Sequence, residues 1–76
     1  MPTFYLSVRD GDDIAPDLEG SEFSNLEAAL LEATESAREV LVDTFRQHRP
    51  VGAKTIEITD ENGTVVGMVA IRDLFE

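Results

Sequence analysis

Cysteine is absent from this 76-residue chain, and histidine occurs once, as His48. Without cysteine the chain forms neither disulfide bonds nor thiolate metal sites, and this composition fits a cytoplasmic location. The glycines form no phosphate-binding pattern, and no serine lies beside a base that the sequence identifies. We therefore expect no enzymatic activity, no bound metal and no cofactor.

Positive charge is also scarce, with six Lys and Arg residues against sixteen Asp and Glu residues and a net charge of −10. Nucleic-acid backbones and anionic lipid surfaces are bound mainly through Lys and Arg. No stretch approaches the roughly 18 apolar residues of a membrane span. The N-terminus lacks the basic and apolar regions of a secretory signal. We therefore expect neither nucleic acid nor a membrane as partner.

The chain is rich in acidic residues, and these are unevenly distributed along it. Residues 10–39 hold ten acidic residues and a single base, Arg38, so this stretch alone carries a formal charge of −9. A negative field of this kind steers positively charged molecules toward the surface that produces it. A basic protein is therefore the external partner that the charge favours.

The N-terminal third predicts short strands and turns. Residues 3–9 alternate between apolar side chains at even positions and polar or aromatic ones at odd positions, which predicts a strand. Residues 10–13, Asp-Gly-Asp-Asp, are typical of a turn. We expect an irregular loop over residues 14–20 and a short edge strand over residues 21–23.

The middle of the chain predicts one amphipathic helix, which begins near Ser24 and is about 24 residues or 36 Å long. Ser24 and Glu27 fit a capping box, and Pro50 prevents continuation of the helix. His48 lies near the C-terminus of this helix. The side chains expected to face the core recur at steps of three and four: Leu26, Leu30, Ala33, Ala37, Val40, Leu41 and Thr44, with Ala29 on the flank.

The C-terminal part predicts a hairpin of two strands, residues 54–59 and 64–71. Asp60 and Gly63 suit a type I turn with a bulge at the glycine. In that register Ile56 and Ile58 share a face with three residues of the last strand: Val66, Met68 and Ala70. A two-residue Asn62-Gly63 turn places them instead with Val65, Gly67, Val69 and Ile71. We take the first register as the prediction and leave the second open.

Together these elements predict an α+β fold, in which one long amphipathic helix packs on a small antiparallel sheet of three or four strands in β-β-α-β-β order. The strand over residues 54–59 is expected beside the first strand. The length predicts a single domain, residues 1–76, with a thin core, and dimerisation is a common remedy at this size.

Three stretches together resemble a family of small acidic bacterial proteins, of rhizobial type, that is defined only as a domain of unknown function. They are residues 4–11 (FYLSVRDG), 17–29 (DLEGSEFSNLEAA) and 56–63 (IEITDENG). The resemblance implies a bacterial, cytoplasmic protein with the order strand, loop, helix, hairpin. It implies no activity, ligand or catalytic residue.

Two sets of helix residues outside the expected core are candidates for partner binding. The first set is acidic and lies opposite the apolar stripe: Glu32, Glu35, Glu39 and Asp43. Like charges at four-residue spacing destabilise a helix, so this set is either a solvated face or a ridge that binds a basic protein. The second set is apolar and is the predicted homodimer interface: Leu31, Val42 and Phe45. A helix that overhangs seven-residue strands by about 10 Å also favours a dimer.

The acidic residues between Asp10 and Glu22 do not have the spacing of a calcium-binding loop. An EF-hand beginning at Asp10 needs acids at its fifth and twelfth positions, where this chain has Ile14 and Ser21. We expect solvated turns here and leave open whether the loop holds a cation. Two alternative functions also stay open: an antitoxin-like or nucleic-acid-mimicking regulator that binds a basic protein, and a small-ligand binder.

Overall fold

The computed structural model describes residues 1–50 and 52–75. Within these residues it has one α-helix and a small antiparallel sheet, which confirms the predicted α+β fold, although the strands number five rather than three or four. The elements are, in chain order, β1 (Thr3–Asp10), β2 (Asp13–Ala15), β3 (Ser21–Glu22), α1 (Leu26–Arg46), β4 (Thr55–Thr59), β5 (Val65–Ala70) and a 3₁₀ helix (Ile71–Phe75).

The strand order is β2-β1-β4-β5, with antiparallel neighbours throughout, and β3 also pairs with β1. This confirms that β4 lies beside β1 and that a short strand, Ser21–Glu22, forms within the predicted residues 21–23. The alternating pattern of β1 also sets its faces. Leu6 lies opposite Ile58 and Val8 opposite Ile56, so these four side chains share the face of the sheet on which α1 packs.

The additional strand, β2, begins where the sequence predicts only a loop over residues 14–20. Gly11, with φ +64°, takes the first central position of a two-residue turn between Asp10 and Asp13, which face each other across the hairpin. Type II′ hairpins place glycine at this position because the turn then matches the strand twist. Pairing therefore continues as far as Ala15, and the loop prediction is wrong for the first two of its residues.

The N-terminus of α1 is capped by Asn25 and not by the predicted capping box. The Asn25 side-chain oxygen accepts a hydrogen bond from the Ala28 amide at 2.9 Å. Asparagine and serine cap helices about equally well, so composition did not distinguish the two neighbours. The hydroxyl of Ser24 instead lies 3.9 Å from the Met1 sulfur. With 21 residues, α1 is about 32 Å long.

The C-terminus of α1 closes with a Schellman motif in which His48 takes the left-handed position, at φ +56°. The His48 amide donates to the Phe45 carbonyl at 3.0 Å, and the Arg49 amide donates to the Thr44 carbonyl at 3.1 Å. These are the two bonds that define the motif, and glycine is the usual residue at the left-handed position. His48 therefore acts as a strained helix terminator.

The core lies between α1 and one face of the sheet. The helix contributes small side chains at its centre, and the predicted stripe is right in direction but centred closer to Ala29, which is fully buried. Larger helix residues, such as Leu26 and Leu30, lie half-buried at the margins. Small residues at the contact let the helix axis approach the sheet closely. The buried apolar residues are Phe4, Ala29, Ala33, Ala37, Ile56, Ile58 and Ile71.

A second bulge in the β4–β5 hairpin overturns the preferred register. The predicted turn forms, because the Gly63 amide donates to the Asp60 carbonyl at 3.1 Å. Thr59 then pairs with Val65 as predicted, but the next pair is Ile58 with Gly67. The bulge inserts one residue and exchanges the two faces beyond it.

The exchange of faces lets the helix approach β5. Met68 turns to the outer face of the sheet, while Val69 shares the inner face with Ile56. Beneath the helix, a side chain at Gly67 would lie 3.4 Å from Leu30. The absence of a Cβ at this position therefore lets α1 lie close to β5.

The helix does not lie over the centre of the sheet. Its main contacts are with β5, β4 and the 3₁₀ helix, whereas β1 carries β2 and β3 along its far edge. An eight-residue β1 spans about 26 Å, so the predicted overhang of 10 Å shrinks to about 5 Å. The overhang, one of the two features from which the sequence predicts a dimer, is therefore about half as long as expected.

Candidate functional site

The two flanks of α1 face different sides of the molecule. On one side, Leu30 packs over Gly67 of β5. On the other side, Glu32 and Ser36 line a groove together with Leu6 of β1. We call the residues Glu32, Glu35, Glu39 and Asp43 the acidic flank, and the residues Leu31, Val42 and Phe45 the apolar flank.

All four side chains of the acidic flank are exposed to solvent. Glu35 forms an ion pair with Arg38 at 2.7 Å, and both side chains are more than half exposed. Arg38 and Arg46 also line a shallow depression with three of the acids. On its outer side the acidic flank therefore has arginines among its acids, whereas the side that faces β1 has none in the groove.

The apolar flank is exposed to solvent, but Leu31 lies about 17 Å along the helix from Val42, which neighbours Phe45. Leu31 is 72% exposed and lines a depression with Glu27, Leu30 and Thr34, on the side toward β5. Val42 is 47% exposed and lies among the charged residues around Asp43. Phe45, 54% exposed, lies near the end of the helix. The structure thus associates Leu31 with the β5 side and Val42 with the charged surface.

A groove of about 540 Å³ separates the acidic flank from the loop before β3. Its apolar lining comes from Leu6 and Phe23, and its polar lining includes Asp17 and Glu32. The groove exists because α1 is displaced toward β5 and leaves this part of the sheet uncovered. It brings an acid of the loop and an acid of the helix to one place, which the sequence did not indicate.

Asp17 holds the loop against the edge of β1. Its two carboxylate oxygens accept hydrogen bonds from the Leu6 and Gly20 amides, each at 3.1 Å, and its own amide donates to the Ser7 hydroxyl at 3.3 Å. The Leu6 amide lies in the gap between β2 and β3, where β1 has no strand partner on that edge among the described residues. Asp17 is therefore a structural residue that replaces a missing strand partner.

Gly20 completes this arrangement through close packing. Its φ is +70°, and a Cβ at this position would lie 2.7 Å from the Tyr5 ring and 2.9 Å from Thr3. The spacing of Asp17 and Gly20 was a signal that sequence reasoning missed, because aspartate commonly accepts from amides a few residues further along a turn. Asp17 and Gly20, which lie in one of the three stretches that carry the family resemblance, therefore have structural roles.

Within residues 1–50 and 52–75, no three acidic or histidine side chains come together in an arrangement that suits a metal ion. Both carboxylate oxygens of Asp17 already accept hydrogen bonds from backbone amides. His48 lies at the helix terminus with its backbone fixed by the Schellman bonds.

The outer face of the sheet is open and mixed in character. The Arg9 guanidinium donates to both carboxylate oxygens of Glu57, at 2.7 and 3.5 Å, across β1 and β4. These hydrogen bonds, together with the charge of Glu57, raise the pKa of Arg9 above its ordinary value. Beyond this pair, Met68 is 57% exposed and Val65 is about equally exposed. The apolar exposure of this face is therefore concentrated on β5.

Of the comparisons with known proteins, the one with family models supports the resemblance to a domain of unknown function. In the described part of the chain no helix combines the length and apolar character that crossing a bilayer requires. Comparison with curated proteins and comparison with solved structures each gave no match. A family model matches residues 3–72. The chain therefore belongs to the family described as a domain of unknown function, DUF6894.

Proposed function

We propose that this chain is a non-enzymatic, cytoplasmic protein-interaction module, which acts as a homodimer and presents its acidic flank to a basic protein. The observation that carries the proposal is the division of the α1 surface. Leu31, 72% exposed, continues the apolar surface of Leu30 on the β5 side, while Glu32 begins the acidic flank on the other side. Contact with a second copy removes the Leu31 surface from water, which is favourable by about 25 cal/mol per Å².

The charge distribution supports this orientation of a dimer. Each chain carries a net charge of −10, so association brings together two strongly negative molecules. Contact on the β5 side keeps the acidic flanks on the outside of the dimer, where water and salt screen them. The β5 strand itself contains no charged residue. The dimer then carries two negative surfaces pointing away from each other, which suits binding of basic partners.

Sedimentation velocity of the full chain tests the dimer. We expect a dimer at micromolar concentration, which Leu31→Glu converts to a monomer. Leu18→Glu is the matched control, because Leu18 is 84% exposed in the loop on the other side of the molecule and the charge change is the same. A wild-type monomer at high micromolar concentration contradicts the proposal, as does equal weakening by both variants.

Affinity capture from the native cell tests the acidic flank. We expect a basic protein to be retained at low salt and released at moderate salt, because exposed charges are screened. The double variant Glu32→Gln and Glu39→Gln should lose this protein. The matched control is Asp12→Asn with Asp13→Asn, which removes the same charge from the hairpin tip. Capture that ignores salt, or that the control abolishes equally, contradicts the acidic-flank part of the proposal.

The identity of the captured protein separates the narrower functions. A basic nucleic-acid-binding protein supports the antitoxin-like or nucleic-acid-mimicking regulator. The groove between Leu6, Phe23 and Glu32 is the feature that favours a small-ligand binder. Substituting Phe23 by Leu at the groove wall should leave protein capture unchanged if the acidic flank is the binding surface.

A further inference from the structure

We propose that two copies of this chain pair through their β5 strands, antiparallel about a two-fold axis near Met68, so that the two sheets become one continuous sheet. The proposal rests on the proposed homodimer and specifies how it forms. It is carried by three features: the open edge of β5, the lack of protection on that edge, and the position of α1.

The backbone of β5 presents unpaired hydrogen-bonding groups. Among the described residues β5 pairs only with β4. The Ile71 amide donates to the Lys54 carbonyl at 3.0 Å, toward β4. Because the bonding direction alternates along an antiparallel strand, the Val69 amide also points toward β4. The amides and carbonyls of Met68 and Ala70 therefore point to the open edge.

Beyond its bulge at Val66, the β5 edge lacks the charged residues and prolines that keep sheet edges monomeric. Proteins protect edges with charged residues, proline, bulges or a covering element. The sequence of β5, VVGMVA, contains neither a charge nor a proline, although 29% of the whole chain is charged. The strand at the opposite end of the sheet, β2, is only three residues long and begins with Asp13. The unprotected edge of this sheet is thus β5.

The position of α1 indicates that the partner strand belongs to a second copy. The helix packs over β4 and β5, so its axis lies about one strand spacing, or 5 Å, from a two-fold axis beyond β5. Pairing β5 with its copy sets the two helix axes about 10 Å apart, at the upper end of the 8–10 Å spacing of packed helices. A different protein that supplied only a β-strand would not make this helix–helix contact.

The register follows from Gly67. Gly67 lies beneath Leu26 and Leu30, so Met68 is level with the helical turn that contains Leu31. A two-fold axis at Met68 therefore brings Leu31 of one copy against Leu31 of the other. Val42 lies eleven residues along the helix, about 17 Å away, and falls outside this contact. The apolar flank predicted from sequence is thereby divided, with Leu31 in the interface and Val42 outside it.

The interface is large enough only because helix and strand act together. Standard dimers take about 800 Å² from each partner, which is about one-sixth of the 5156 Å² surface of this chain. With the axis at Met68, the five residues from Val66 to Ala70 pair between the two β5 strands and extend over about 17 Å. The adjoining helix contact around Leu31 supplies the remaining area.

Single-cysteine variants test the pairing, because the natural chain has no cysteine. In a hydrogen-bonded antiparallel pair opposed Cα atoms are about 5.5 Å apart, within disulfide range. We expect Met68→Cys and Leu31→Cys to form disulfide dimers under mild oxidation, and Val42→Cys and Leu18→Cys to stay monomeric on non-reducing gels. All four positions are exposed, so folding should survive and is checked by circular dichroism.

The outcomes separate this inference from the proposed function. A dimer by sedimentation that is trapped through Val42 and not through Met68 overturns the β5 pairing and leaves the homodimer standing. A monomer by sedimentation, with no variant trapped, overturns both. As a second variant, Met68→Lys places a charge at the open edge and should convert the dimer to monomer, whereas Leu18→Lys should not; equal sedimentation of the two variants contradicts the inference.

Discussion

Removal of the Asp17 carboxylate should destabilise the fold measurably, although Asp17 lies on a loop. The carboxylate accepts from the Leu6 and Gly20 amides at 3.1 Å each. Hydrogen bonds to a charged acceptor contribute about 1.5–3 kcal/mol when buried. These groups are half-buried, and water replaces part of each bond, so we expect about 1 kcal/mol for each. Asp17→Ala should therefore lower the free energy of unfolding by about 2 kcal/mol.

The assay is thermal and urea unfolding followed by circular dichroism. For a domain of this size, 1 kcal/mol shifts Tm by about 4–8 °C, so Asp17→Ala should lower Tm by about 8–16 °C. Asp17→Asn keeps one acceptor oxygen and should fall between wild type and Asp17→Ala. Glu19→Ala is the control, since it removes the same charge from an exposed neighbour and should change stability by less than about 0.5 kcal/mol. Equal effects of Asp17→Ala and Glu19→Ala refute the reasoning.

Three further predictions concern other parts of the fold. His48→Gly should raise the free energy of unfolding by about 0.5–1 kcal/mol, because a left-handed conformation strains any residue with a Cβ; a lower urea midpoint contradicts this. Ala33→Leu should lower the free energy of unfolding by about 1–3 kcal/mol, because the larger side chain overpacks the contact between α1 and the sheet. An unchanged Tm contradicts the close approach of the helix to the sheet. Glu57 raises the pKa of Arg9, so the pair stabilises the fold below the ordinary arginine pKa and its contribution is lost only as pH rises through the raised value. The difference in urea midpoint between wild type and Glu57→Gln should therefore stay constant from neutral to moderately alkaline pH, and a difference that shrinks in this range contradicts the assignment.

Much of the architecture was predictable because it depends on periodicity. The alternation in β1 and the three- and four-residue steps in α1 determine which face each element buries, and the turn at Asp60 was readable from its residue types. The sheet order followed from chain direction. These features are local, or they follow from short connections that admit few arrangements.

The features that sequence reasoning missed depend on contacts between distant residues. The bulge between the Thr59–Val65 and Ile58–Gly67 pairs exchanges the faces of β5. This exchange lets Leu30 pack against Gly67, which lies 37 residues further along the chain. Asp17 finds its role only because β2 and β3 leave a gap along β1. The displacement of α1 toward β5 is likewise a property of packing, and it determines which flank lies beside the open edge.

The most direct test of the account is hydrogen exchange of individual β5 amides, measured by NMR across a range of protein concentrations. The Met68 amide points to the open edge, whereas the Val69 amide bonds to β4 and serves as an internal reference. Pairing of two copies predicts that Met68 exchanges quickly in dilute protein and becomes protected as the dimer forms, while Val69 is protected throughout. Rapid exchange of the Met68 amide at concentrations where sedimentation shows a dimer would contradict the account.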